Sequence, residues 1–262
     1  MTTTRTICFC NNKGGSGKTT TCGNLGYGLA KLGKKVLLID GDMQLNLSLS
    51  YFGEEEVLSF SDGNKNLYSC IMEHKDLSVG IVQTPFQGID MIPSSMRMSN
   101  IEKELCTTHG GDALLPKLME KIQKSGYYDY ILIDSPPTLG TWVMNLVCSS
   151  DRLIIPVEAS PWGLFGLANM LEFLRLAKET KENIELMGIV ITKVDDRKKY
   201  LKAVMDTLKE YDNVPVFSSQ IHIDSTVEWA QDESLPVCEF KASSRSAKEY
   251  FKLAQEVNDT WQ

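Results

Sequence analysis

Residues 13–20 read Lys-Gly-Gly-Ser-Gly-Lys-Thr-Thr, and what flanks them restricts the fold to a small set. The run Ile7-Cys8-Phe9-Cys10 before the loop reads as a buried strand. Leu25, Leu29 and Leu32 after it recur at the spacing of one helix face. A strand, a glycine-rich turn and a helix in succession form a setting that holds phosphates. Glycines let backbone N–H groups turn inward, and the helix N-terminus adds positive potential. Gly14, Gly15, Ser16, Gly17 and Thr20 belong to this cradle. Lys18 reaches the β- and γ-phosphates, and the Thr19 hydroxyl ligates Mg²⁺.

The loop departs from the common phosphate-loop pattern. That pattern places a glycine five positions before Gly17, where this chain has Asn12. A second lysine, Lys13, stands just before Gly14 instead. From the outer rim of the loop, its charge can serve a nucleotide held by a second copy of the chain, which would join dimerisation to catalysis.

The stretch Lys13 to Thr20 resembles the deviant phosphate loop of the ParA/MinD ATPases. The segment Val36-Leu37-Leu38-Ile39-Asp40-Gly41-Asp42-Met43-Gln44 resembles that family's second strand, which usually ends Asp-x-Asp-Pro-Gln. Met43 stands in the proline's place. Asn46 and Ser48 occupy positions of an Asn and a small hydroxyl residue. The run Tyr128 to Pro137 is similar to the Asp-x-Pro-Pro segment, and Gly88 to Ser94 and Leu235-Pro236-Val237 also have counterparts. The resemblance is collinear over most of the chain and fits the plasmid and chromosome partitioning branch best.

Length and composition set further limits. A chain of 262 residues, 42% of them hydrophobic, is expected to form one domain over 1–262. No run approaches the ~18–20 apolar residues of a membrane span. The first strand begins within a few residues of Met1, so a secretory leader is not expected. Seven cysteines without a C-x-x-C spacing read as packing thiols, with Cys8 and Cys10 on the same side of one strand. Three scattered histidines argue against a transition-metal site.

Strand-like runs recur at 6–10, 36–40, 89–92, 130–134, 152–157, 186–192 and 214–217. Most are separated by helical spacing, as in Leu114 to Ile122 and Leu167 to Leu176. That alternation predicts an α/β fold, a twisted, mostly parallel sheet of about seven or eight strands with helices on both faces. Ligands in such sheets bind beyond the carboxyl ends of strands, where Lys18, Asp42 and Asp134 fall. Residues 53–87 read as an irregular elaboration with a surface turn at Ser61-Asp62-Gly63-Asn64.

The resemblance implies separate roles for three carboxylates. Asp42 positions or polarises the attacking water, Asp40 acts through the Mg²⁺ shell, and Asp134 holds Mg²⁺ through a water. Thr192-Lys193-Val194-Asp195 resembles the Asn/Thr-Lys-x-Asp string by which GTPases read guanine. ATP is nonetheless the expected nucleotide and GTP the alternative, because Lys13 and Gln44 go with the ATP-using branch.

The implied activity is a Mg²⁺-dependent ATPase that dimerises on ATP, binds DNA non-specifically and is released through a DNA-bound ParB-like adaptor. A formal charge of −7 opposes DNA binding unless basic residues are grouped. Two groups exist: Arg197, Lys198, Lys199 and Lys202, and Lys241, Arg245 and Lys248. The two arginines that relatives place near residue 223 are Ile223 and Thr226 here. The C-terminal residues Leu253 to Gln262 carry two acids and no late lysine, unlike a membrane-inserting basic helix. Trp162 and Phe165 after Pro161 read as packing or dimer-interface residues. A cytoplasmic, nucleoid-associated place is expected. The alternative is a nucleotide-switched regulatory scaffold that works through protein partners without DNA.

Overall fold

The apolar runs become the strands of one sheet. A computed structural model describes residues 4–160, 163–164, 166–211 and 214–261. The strands are β1 Arg5–Phe9, β2 Val36–Asp40, β3 Val82–Gln83, β4 Ile89–Ile92, β5 Tyr130–Asp134, β6 Arg152–Glu158, β7 Glu185–Val194 and β8 Val216–His222. Their spatial order is β3-β4-β2-β5-β1-β6-β7-β8. All neighbours run parallel except β3, which lies antiparallel to β4.

Along the chain the helices are α1 Lys18–Lys31, α2 Asn46–Leu49, α3 Glu54–Asp62, α4 Leu67–Met72, α5 Ile101–Thr107 and α6 Leu114–Ser125. They continue as α7 Thr141–Cys148, α8 Leu167–Thr180, α9 Tyr200–Leu208, α10 Thr226–Asp232, α11 Val237–Phe240 and α12 Arg245–Thr260. No described helix is long and apolar enough to cross a membrane.

Strands buried on both faces carry apolar residues at every position. In β1, Cys8 and the following Cys10 enter the core on one side of the sheet, and Ile7 and Phe9 enter the core on the other. The cysteine parity read from the sequence is therefore the observed one. The first core packs under α4 to α8, and the second under α1 and α12.

Three differences from the sequence reading have local causes. The stretch 53–87 holds α3 and α4 and supplies β3, so it is more regular than expected. Ser61 is buried rather than on a surface turn, because its hydroxyl accepts from the Met96 amide. The last strand is Val216–His222 instead of 214–217. Its interior Ser218-Ser219-Gln220 is polar because β8 is an edge strand with one neighbour. Pro161, Trp162 and Phe165 lie outside the described residues.

The edge is closed chemically. The Ser218 and Ser219 amides donate to Glu256 on α12 at 2.7 and 3.0 Å, and the His222 amide donates to Glu249 at 2.8 Å. The register sets the site. Asp134 at the end of β5 is paired with Phe9 of β1 on one side and with Asp40 of β2 on the other. The loops leaving these three adjacent strands open at the same edge of the sheet.

Candidate functional site

The loop after β1 ends at Gly17, which adopts φ +86°, a left-handed turn that a side chain would strain. Gly17 begins α1 without a side-chain cap and with no acidic residue in the first turn. The helix thus presents its uncapped N-terminal amides and positive dipole end to an open cleft of about 740 Å³. Lys18, Thr19, Asp42 and Thr192 are among the residues lining it. Lys18 Nζ donates to the Lys13 carbonyl at 3.3 Å. Burial pushes the Lys18 ammonium toward its neutral form, against the opposing pull of Asp134.

Asp134 is fully buried, and Thr19 Oγ1 donates to its Oδ2 at 2.6 Å. Its other oxygen, Oδ1, is buried without a hydrogen-bond partner. Burial and then the charge of Asp40 hold this carboxyl well above the usual range, opposed by Thr19 and Lys18. A hydroxyl, a carboxylate with a spare buried oxygen and a shortage of positive charge form a hard-oxygen donor set that fits Mg²⁺. A largely buried ammonium beside uncapped amides fits a phosphate.

Asp40 is tied by hydrogen bonds to the loop that follows it. Its Oδ2 accepts from the Ser48 amide at 2.9 Å and the Ser48 hydroxyl at 2.7 Å, and its Oδ1 accepts from the Asp42 amide at 3.1 Å. Burial raises its pKa to about 6, while the Ser48 and Asp42 donors pull the other way. Asp42 itself lines the cleft, and its Oδ1 accepts from the Gln44 amide at 3.1 Å.

Lys13 does not project freely. Its Nζ lies 2.6 Å from Glu158 Oε2 and 3.2 Å from Ser160 Oγ. The two charged side chains are 28% and 27% exposed. Glu158 ends β6, which pairs with β1, so topology brings the two together. Sequence reasoning missed Glu158. The available signal was a charged residue closing an otherwise apolar run.

Beside Gly17, Thr192 Oγ1 donates to the Ser16 carbonyl at 2.8 Å, which ties β7 to the phosphate loop. Lys193 adopts φ +52° and lines the cleft with Ile221 and Ile223. Asp195 does not join them. Arg197 donates to both of its oxygens at 2.8 and 2.9 Å. Arg245 is similarly engaged, with Asp196 at 2.8 Å and Glu249 at 2.9 Å, and His222 bridges the same two acids. Lys198 lies 3.9 Å from Asp195. Among the described residues, no carboxylate lies in ion-pair range of Lys199, Lys202, Lys241 or Lys248.

Comparison with known proteins agrees with this geometry. A family model described as an AAA domain matches residues 4–188. The sporulation initiation inhibitor protein Soj of Bacillus subtilis is 33% identical over 252 residues, covering 96% of this chain and 97% of Soj. The chromosome partitioning protein ParA of Caulobacter vibrioides is 30% identical over 97% of this chain and 93% of its own. Among solved structures, a cobyrinic acid a,c-diamide synthase from Mycobacterium smegmatis with bound ATP analogue and magnesium shares the fold. It aligns with a TM-score of 0.85 at 23% identity over 99% and 96% of the two chains. With the phosphate cradle, the carboxylates at the ends of β2 and β5 and full-length similarity to Soj, the chain belongs to the ParA/Soj family of partitioning ATPases.

Proposed function

We propose that this ATPase is a DNA-partitioning switch. ATP closes two copies face to face, the closed dimer binds DNA non-specifically, and hydrolysis stimulated by a DNA-bound ParB-like adaptor reopens it. The observation that carries the reading is the convergence of Lys18, Thr19 and Asp42 on one open cleft, with buried Asp134 reached through the Thr19 hydroxyl and Lys13 not among the lining residues. Lys18 and the α1 amides hold the phosphates. Thr19 and Asp134 hold Mg²⁺, which when bound supplies positive charge to the β- and γ-phosphate oxygens. Asp42 orients the attacking water. Lys13, released from Glu158, neutralises charge on the nucleotide of the second copy, as an arginine finger does. Adenine is the favoured base, since Asp195 is held by Arg197 outside the cleft.

DNA contact rests on Lys199, Lys202, Lys241 and Lys248, the candidate cations that keep their charge uncommitted. Sedimentation of an Asp42→Ala protein tests the whole reading. It would be run with ATP, GTP or ADP, with and without duplex DNA, at two salt concentrations. An ATP-specific dimer that binds DNA and releases it as salt rises supports the proposal. A monomer at saturating ATP overturns it. A second reading, a nucleotide-switched scaffold for protein partners, is favoured by one observation. Ile223, at a position where relatives carry arginine, is 57% exposed at the cleft mouth. An ATP dimer indifferent to DNA is its signature.

A further inference from the structure

We propose that Trp142 is a positioning residue for Asp42, acting through the peptide group that joins Gly41 to Asp42. The proposal rests on the reading of Asp42 as the residue that orients water.

Asp42 follows a glycine, which by itself leaves the preceding peptide plane free to rotate. Here that plane is held at both ends. The Gly41 carbonyl accepts from Trp142 Nε1 at 2.8 Å, and the Asp42 amide donates to Asp40 Oδ1 at 3.1 Å. The Gly41 amide in turn donates to the Asp134 carbonyl at 3.0 Å. Position 41 must be glycine for this approach, because a Cβ there would lie 2.7 Å from the Asp134 carbonyl oxygen.

The indole is 2% exposed, so its bond to Gly41 is shielded from competing water. Trp142 is the second residue of α7, and Glu102 anchors that end of the helix by accepting from the Trp142 amide at 3.1 Å. The segment Asp134 to Trp142 therefore grips Gly41 from both of its termini. These bonds tie the strand end that carries Asp42 to the strand end that carries Asp134.

The need for such a grip is visible just downstream. Asp42 to Leu45 form a turn closed by the Leu45 amide donating to the Asp42 carbonyl at 3.1 Å. Met43 sits at the second position of that turn, where proline would stiffen both itself and Asp42. Met43 is largely exposed, and among the described residues its amide donates to no acceptor. Proline thus fits there without losing a bond. In this chain rigidity comes from the tryptophan ahead of Asp42 instead of from a proline behind it.

The test combines Trp142→Phe, which keeps the aromatic body and removes the N–H, with Met43→Pro. Amide exchange of Asp42, Gln44 and Leu45, whose N–H groups are hydrogen-bonded, should speed up roughly tenfold in the nucleotide-free Trp142→Phe protein while exchange in the β1 and β5 strands stays unchanged. The same variant should lose roughly tenfold in kcat with KM for ATP within about twofold of the parent. Met43→Pro should have little effect alone and should restore both loop protection and most of kcat in the Trp142→Phe background. Trp142→Phe with parental loop exchange, or a loss that Met43→Pro does not recover, overturns the proposal. Should Trp142→Phe fail to fold, benzothienylalanine at position 142 replaces the N–H with sulfur at nearly constant shape, and the same outcomes apply. An Asp42→Ala control separates the two claims. Full turnover in that variant would refute the role of Asp42, while the exchange data would still decide the grip.

Discussion

Glu158 should restrain dimerisation, and Glu158→Gln should relieve that restraint. A lysine has one ammonium, and to reach a nucleotide on a second copy Lys13 must leave Glu158 and Ser160. At the observed 2.6 Å, and with a near-surface dielectric, the raw attraction is about 6 kcal/mol. Most of it is offset by the desolvation of groups that are nearly three-quarters buried, so the net value is about 1 kcal/mol. A dimer breaks two such pairs, a cost of about 2 kcal/mol, or roughly 30-fold in the dimer dissociation constant. Glutamine keeps the shape and an acceptor for Lys13 but removes the charge. Sedimentation velocity with a non-hydrolysable ATP analogue should show the Glu158→Gln dimer tighter by that factor. Adding Lys13→Gln should abolish the gain. An unchanged or weaker dimer would refute the reasoning, since Glu158 would then act in the closed state and not against it.

Lys18→Ala should weaken nucleotide binding by roughly 100-fold in a fluorescent-nucleotide titration, because it removes the buried ammonium facing the phosphates, whereas Lys13→Gln should bind within about threefold of the parent yet lose hydrolysis. Gly41→Ala should lower stability by roughly 2 kcal/mol and the thermal midpoint by several degrees, since its Cβ meets the Asp134 carbonyl oxygen and Leu146 within 3 Å. Asp224 accepts from the Thr226 amide and from the amide and hydroxyl of Ser246. Burial alone would raise its pKa, but these donors outweigh it and hold the carboxyl at about 2, below its ordinary 3.8. The stability it lends is complete above pH ~4 and is lost as pH falls toward 2. Urea unfolding should therefore show Asp224→Ala costing about 1 kcal/mol at pH 7, after allowance for solvent screening, and much less at pH 2.5.

Most strands were legible because a parallel sheet buried on both faces demands unbroken apolar runs, and runs such as 36–40 and 130–134 have no other comfortable reading. The failures came where that demand lapses. β8 has one neighbour, so serines are tolerated in its middle, and β3 is two residues long and leaves no pattern. The phosphate loop was readable because its function is local: glycines, lysine and threonine within eight positions. The partners of its charges were not local. Glu158 reaches Lys13 across 145 residues, and the Trp142 indole reaches Gly41 across 101. Strand order decides both contacts, and no spacing in the chain encodes them. The role expected of Asp40 came from the resemblance, and its hydrogen bonds to Ser48, eight residues later, had no signal in the spacing. The basic groups were read as free charge. Arg197 pairs with Asp195 of its own loop, whereas Arg245 pairs with Glu249 of its own helix and with Asp196 from the loop after β7.

The carboxylates of α12 that cap β8 bear on how this protein behaves in the tube. An open edge strand is a template on which another chain can add, and from there aggregates grow. Glu256 accepts amides that such a chain would need, and those same donors hold its own pKa below the usual carboxylate range despite partial burial. The guard is thus a charged one, and acid strong enough to protonate Glu256 removes it. Preparations taken into acid well below the ordinary glutamate range should pass from clear to turbid through strand-to-strand growth at β8. Near neutral pH the β8 edge stays closed to such growth.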